Sequence, residues 1–117
     1  MKAVLYVAQG EKGLLKVGRT IKPKMRERSL GFEFKHFGDT LRRFACTEEM
    51  EFVTQSESAA IILAERRYQK AHGREWFKAE PTSAVFEAAY RILLRARRER
   101  EKILTPSWES IFKKRKA

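Results

Sequence analysis

The side chains in this chain best suited to chemistry are cations, and their spacing is that of a phosphate-binding surface. Arg91, Arg95 and Arg98 recur at the three- and four-residue intervals that keep side chains on one face of a helix. Lys113, Lys114, Arg115 and Lys116 follow one another without interruption, and Arg19, Lys22, Arg26 and Arg28 crowd a single N-terminal stretch. Each phosphate that such a side chain neutralises releases condensed counterions, which favours nucleic acid whatever its base sequence. Two other uses exist for the same cations: a solvated surface that keeps a small protein dispersed, or attraction to an anionic lipid surface. The basic segments are not simple amphipathic membrane helices, so nucleic acid is the favoured partner.

Thiol and imidazole chemistry is poorly supplied. Cys46 is the one cysteine, so neither an internal disulfide nor a cysteine-built zinc site is available. His36 and His72 stand alone in polar surroundings, and the chain contains no Asn. Taken singly, Tyr6 reads as a half-buried strand residue and Arg26 as a helix surface charge. Glu65 lies beside Arg66 and Arg67 and reads as an ion-pair partner. Gly18 reads as a point where backbone passes close to something.

The elements that must position these groups follow from the local pattern. With 117 residues the chain has room for one domain, and 43% hydrophobic residues are enough for a core. The net charge of +11 is uneven. Residues 1–31 carry 8 basic and 2 acidic side chains, residues 32–81 carry 8 and 9, and residues 82–117 carry 10 and 4. Apolar runs of four or five residues fall far short of a membrane span, and the N-terminus lacks the features of a secretory signal. A cytoplasmic protein without a membrane partner is expected.

Ala3 to Ala8 and Leu14 to Gly18, separated by the turn from Gly10 to Gly13, predict a β-hairpin. Pro23 opens a short helix that Gly31 closes, and a loop follows from Phe32 to Asp39. Leu41 to Cys46 reads as a strand, with a second short one at Met50 to Thr54. A helix from about Glu57 to Ala71 is stopped by Gly73. Glu75 to Ala79 is a short aromatic strand in which Trp76 and Phe77 belong to the core. Thr82 caps a long helix reaching about Leu104. The fold class is therefore α+β: a hairpin and one or two further strands in a small sheet flanked by helices, with a long basic C-terminal helix.

The order of particular residues adds to this. Leu5-Tyr6-Val7, then Lys16-Val17-Gly18-Arg19-Thr20, then Arg26, Glu65 and Glu75-Trp76-Phe77 resemble the GIY-YIG nuclease superfamily, in particular its small branch first named from an open reading frame of phage T5. The resemblance covers about residues 3–78. It implies that Tyr6 is the general base and that Lys16 stands where most members have a second tyrosine. By the same resemblance Gly18 is the glycine of the second motif, Arg26 stabilises the charged phosphate, and Glu65 holds a divalent cation, Mg²⁺ or Mn²⁺. Where many members have histidines, this chain has Leu30 and Gln69. The expected organisation is a nuclease-like domain at 3–80, a helix at 82–104 and a basic tail at 105–117.

The resemblance implies a metal-dependent endonuclease acting on DNA, double-stranded or branched. The physical case is sound: phosphodiester hydrolysis needs a water to lose its proton and charge to be neutralised at the phosphorus. Arginine brings a planar fork of donors for phosphate oxygens. Mg²⁺ keeps several waters and needs only one or two carboxylates. Phosphate contacts are expected from Arg19, Lys22, Arg28, Arg91, Arg95, Arg98 and residues 113–116. The alternative is a catalytically silent module of the same fold that binds nucleic acid, or a protein, through its basic faces.

Overall fold

The computed structural model describes residues 2–51 and 53–104, from 99 onward as backbone only. Strands β1 (Val4–Gly10) and β2 (Leu14–Thr20) form the expected hairpin, with Tyr6 opposite Gly18 and Ala8 opposite Lys16. Helix α1 (Pro23–His36) leads to β3 (Leu41–Cys46), which pairs with β1. Helix α2 (Val53–Arg67), β4 (Gln69–His72), β5 (Trp76–Lys78) and α3 (Ser83–Leu104) complete the described chain. The sheet has five strands in the order β3-β1-β2-β5-β4, each pair antiparallel. Among the described residues no helix is long and apolar enough to cross a membrane.

Both faces of the sheet are covered, which explains why β1 is apolar without alternation. Leu5 and Val7 face a core with Ala60, Ile61 and Ala64 of α2 and Ala89, Leu93 and Ala96 of α3. Tyr6, Ala8 and Leu14 face the opposite core with Leu30 and Phe34 of α1 and Trp76 of β5. Because side chains alternate along a strand, Lys16 and Gly18 of β2 share the α1 side with Tyr6 and Leu14, and Arg19 lies on the α2 side with Val17. Thr82 caps α3 as expected, its Oγ1 accepting from the Val85 N–H at 3.2 Å.

Three local expectations are corrected. Helix α1 does not close at Gly31 but continues through the segment expected as a loop. Leu30 and Phe34, one turn apart and both fully buried, dock on the sheet, and that burial outweighs the roughly 1 kcal/mol that glycine costs a helix interior relative to alanine. The short strand expected at 50–54 is an isolated bridge between Met50 and Ala3, after which Val53 already begins α2. Helix α2 stops at Arg67 instead of Ala71, because Gln69, Lys70 and His72 pair with Lys78, Phe77 and Trp76. Gly73, at φ 47°, belongs to the turn between β4 and β5 and does not end the helix.

Candidate active site

Strand β5 covers β2 only from Leu14 to Lys16. One further hydrogen bond, from the Val17 N–H to the Glu75 carbonyl at 3.1 Å, ends that contact. The edge of residues 18–20 is therefore left without a strand on that side. The chain's charged residues gather at this notch from both faces of the sheet.

Tyr6 is the centre of the α1 side. It is 1% exposed and stacks on Phe44 with ring centroids 5.5 Å apart. Its hydroxyl lies across Gly18, where a Cβ would fall 2.5 Å from Oη and 2.7 Å from Cζ. Glycine is required there for the ring to fit. Arg26, brought down by the first turn of α1, donates from Nε to Tyr6 Oη at 3.0 Å, and its guanidinium lies 5.7 Å from the ring centroid. Arg26 Nη1 donates to Glu33 Oε2 at 2.7 Å and to Ser29 Oγ at 3.2 Å, which fixes the fork. Burial pushes the Tyr6 phenol from 10.0 up to about 12, with Arg26 opposing the rise and the carboxylates of Glu75 and Glu33 adding to it. At neutral pH Tyr6 is a phenol.

Lys16, two residues before Gly18 on the same face of β2, has its side chain 6% exposed. Its ammonium ion pairs with Glu75 and sits 5.1 Å from the Trp76 ring centroid. Those two partners, adjacent in sequence, fold over Lys16 because Trp76 is its register partner on β5.

On the α2 side, Arg19 reaches across the notch to the first turns of α2, where Nη1 donates to Thr54 Oγ1 and Nε stands 3.7 Å from Glu57 Oε1. The Glu57 side chain is only 15% exposed. Burial and then the charge of Glu75 push its carboxyl above the ordinary value, against Arg19, Lys16 and Arg74. Glu57 and Tyr6 thus share one charged neighbour, Glu75.

Glu65 is elsewhere. It lies two turns further along α2, about 12 Å by helix rise, exposed, with Lys70 Nζ 3.3 Å from its Oε1. The charged groups acting on Tyr6 are Arg26, Glu75 and Glu33, and neither Glu65 nor Glu57 is among them. The structure places Tyr6, Gly18 and Arg26 in contact, Lys16 on the same face of β2 as Gly18, and Glu65 two turns of α2 beyond Glu57. Glu57 is a half-buried carboxylate near the notch that the sequence motifs do not single out. Its signal is the spacing: Glu57 falls on the stripe of Ala60, Ile61 and Ala64, where a carboxylate needs a polar partner, here Arg19.

The residues 3–100 match the family model of the T5orf172 domain. The chain belongs to the T5orf172 domain family. That family is associated with phage proteins of nuclease type. The match extends past the motif-bearing stretch of residues 3–78 to take in most of α3. No curated protein and no solved structure matches this T5orf172 chain.

Of the cations expected to meet phosphate, Lys22, Arg28, Arg91, Arg95 and Arg98 are exposed on the T5orf172 domain. Arg19 is engaged with Thr54 and Glu57, and residues 113–116 lie outside the described chain. Among the described residues no group of three or more His, Cys, Asp or Glu side chains is gathered. An all-protein metal cage is therefore absent from the described residues. A hard dication held by one carboxylate, water and phosphate fits Glu57, in place of its pair with Arg19.

Proposed function

We propose that this T5orf172 chain is a divalent-cation-dependent endonuclease that hydrolyses phosphodiester bonds in DNA. The observation that carries the reading is the hydrogen bond from Arg26 to Tyr6 over Gly18, at a notch shared with the half-buried carboxylate of Glu57. Glu57, and not Glu65, is the residue we assign to the cation. When bound, a divalent cation there supplies positive charge that lowers nearby acids and polarises a phosphate.

The chain's own residues then have separable tasks. Tyr6 Oη, held against Gly18 by Phe44 and Arg26, is fixed in direction; once its own proton has gone to solvent, the phenolate takes the proton of the attacking water as that water's oxygen bonds to phosphorus and the P–O bond to the leaving oxygen breaks. A phenol at about 12 holds roughly one part in 10⁵ of its base form at pH 7, so the positive charge of a bound cation and of Arg26 must bring it down against the opposing charge of the phosphate. Arg26 presents its guanidinium to the phosphate as Glu33 gives way, and Lys16, released from Glu75, supplies a second cation. Both cations are neutralised internally by partly exposed carboxylates until an anion competes for them.

The internal neutralisation and the high Tyr6 pKa also favour the second reading, a binding module that cuts nothing. Nicking of supercoiled plasmid with Mg²⁺ or Mn²⁺ separates the two. The expected result is cation-dependent nicking that is lost in Tyr6→Phe and Glu57→Gln and kept in Glu65→Gln. Plasmid shifted on a gel but never nicked leaves the binding module.

A further inference from the structure

Helix α1 carries a second feature on the side turned away from Arg26. A groove of about 470 Å³ runs between α1 and the start of β3, lined by Lys24, Arg28, Gly31, Phe32, Lys35 and Leu41 among others. Phe32 is 72% exposed, the most exposed of the large apolar side chains among the described residues. A Cβ placed on Gly31 would meet nothing within 4 Å. No packing constraint asks for glycine at this point of a fourteen-residue helix, where alanine is the better helix former. What glycine does is leave the wall beside Phe32 open.

Charge says what fits. Lys24, Arg28 and Lys35 share one face of α1 and are all exposed. They span about 16 Å of helix, long enough for several phosphates of one strand. Glu27 is the acidic residue of the wall, which leaves a surplus of positive charge and one acceptor for an exocyclic amine. An exposed aromatic ring framed by cations is the arrangement that stacks a base while holding its backbone. Inside an intact duplex both faces of a base are covered by its neighbours, so the ring needs a base with a free face.

We propose that this groove binds an unpaired nucleotide, its base stacked on Phe32 and its flanking phosphates on Lys24, Arg28 and Lys35. The chain then senses single-stranded or unpaired segments in its substrate. The proposal rests on the nucleic-acid part of the proposed function, and it holds whether or not the notch hydrolyses.

The test uses the whole chain without divalent cation, so that nothing is cut. Fluorescence anisotropy with a labelled twenty-nucleotide oligo-dT and with a labelled duplex of the same length compares the native chain with Phe32→Leu and Phe32→Trp. Phe32→Leu keeps an apolar side chain and loses the stacking face. It is expected to weaken oligo-dT binding by about five- to a hundredfold, from the known worth of base–aromatic stacking, with the duplex changed less than twofold. Phe32→Trp is expected to restore binding. Equal weakening for both nucleic acids, or no change for either, overturns the groove assignment and leaves the nuclease reading standing. If the native chain binds neither nucleic acid, both fall. A mass in analytical ultracentrifugation that halves in Phe32→Leu, with oligo-dT affinity unchanged, makes the groove an interface between copies and also overturns the proposal.

Discussion

The space above the Gly18 Cα is occupied by the Tyr6 phenol, so closely that a single added methyl at position 18 would lie 2.5 Å from Oη, 2.7 Å from Cζ and 2.9 Å from Cε2. The two residues are register partners on β1 and β2. Gly18→Ala must therefore push the ring aside or part the strands, at a cost of about 1–3 kcal/mol. The displaced hydroxyl also loses the Arg26 hydrogen bond. Urea unfolding is expected to show the loss in stability. Adding Tyr6→Phe is expected not to restore it, because two of the three close atoms belong to the ring. Full recovery in the double variant would mean that only the hydroxyl was in the way.

Asp39 ties the hairpin turn to the end of α1. The residue is 4% exposed, and its Oδ1 accepts from the Lys12 N–H at 2.8 Å and the Thr40 N–H at 2.7 Å, while Oδ2 accepts from the Leu14 N–H at 3.1 Å. Asp39→Ala leaves these amides without partners in a partly closed site and is expected to cost about 2–4 kcal/mol. Asp39→Asn keeps one acceptor and is expected to cost about half as much. Denaturation of the two variants in parallel checks the ordering, and equal costs would point to the loss of negative charge instead of lost acceptors.

What could be read in the sequence were the elements whose signals are local. The glycine turn of the β1–β2 hairpin, Pro23 at the start of α1 and Thr82 ahead of α3 all act within a few residues of where they stand. The misread elements are those fixed from a distance. Gly31 looks like a stop until Phe34 is seen buried against Trp76 at 5.0 Å between ring centroids. Residues 69–72 look like the end of a helix until Trp76 and Phe77 offer an edge to pair with. The site shows the same division. Tyr6, Lys16, Gly18 and Arg26 lie on the hairpin and the helix after it, so motif order finds them. Glu75, already in the motif order, is brought onto Lys16 by the pairing of β5 with β2, and Glu57, 41 residues beyond Lys16, is brought to Arg19 only by the packing of α2.

Glu57 and Glu65 give opposite outcomes under the same substitution. Glu57→Gln keeps the shape and removes the charge that the cation needs, and cleavage is expected to fall by about a hundredfold or more at fixed Mg²⁺. Glu65→Gln removes only an exposed pair with Lys70, a contact of the kind that contributes little, and is expected to leave the rate within threefold. Initial nicking rates across an Mg²⁺ series measure both. Loss of activity in Glu65→Gln with Glu57→Gln intact would return the cation to the later turn of α2.

The Tyr6 proton links the site to alkaline stability. In the unfolded chain the phenol titrates near 10, and in the folded one near 12. Below pH 10 both states hold the proton and the contribution is complete. Between about 10 and 12 the unfolded chain has released it and the folded chain has not, so stability falls as pH rises, by about 1.4 kcal/mol per unit. The whole window amounts to about 2–3 kcal/mol. Burial raises the Tyr68 phenol as well, so the comparison needs Tyr6→Phe and Tyr68→Phe side by side. Urea midpoints from pH 9 to 12 are expected to drop less steeply in Tyr6→Phe than in the native chain. Cleavage carries the same proton in the opposite sense: if the phenolate takes the proton of water, the nicking rate rises with pH, up to tenfold per unit, until the fold gives way. A flat profile from pH 7 to 10 would assign Tyr6 to orienting the water and not to deprotonating it.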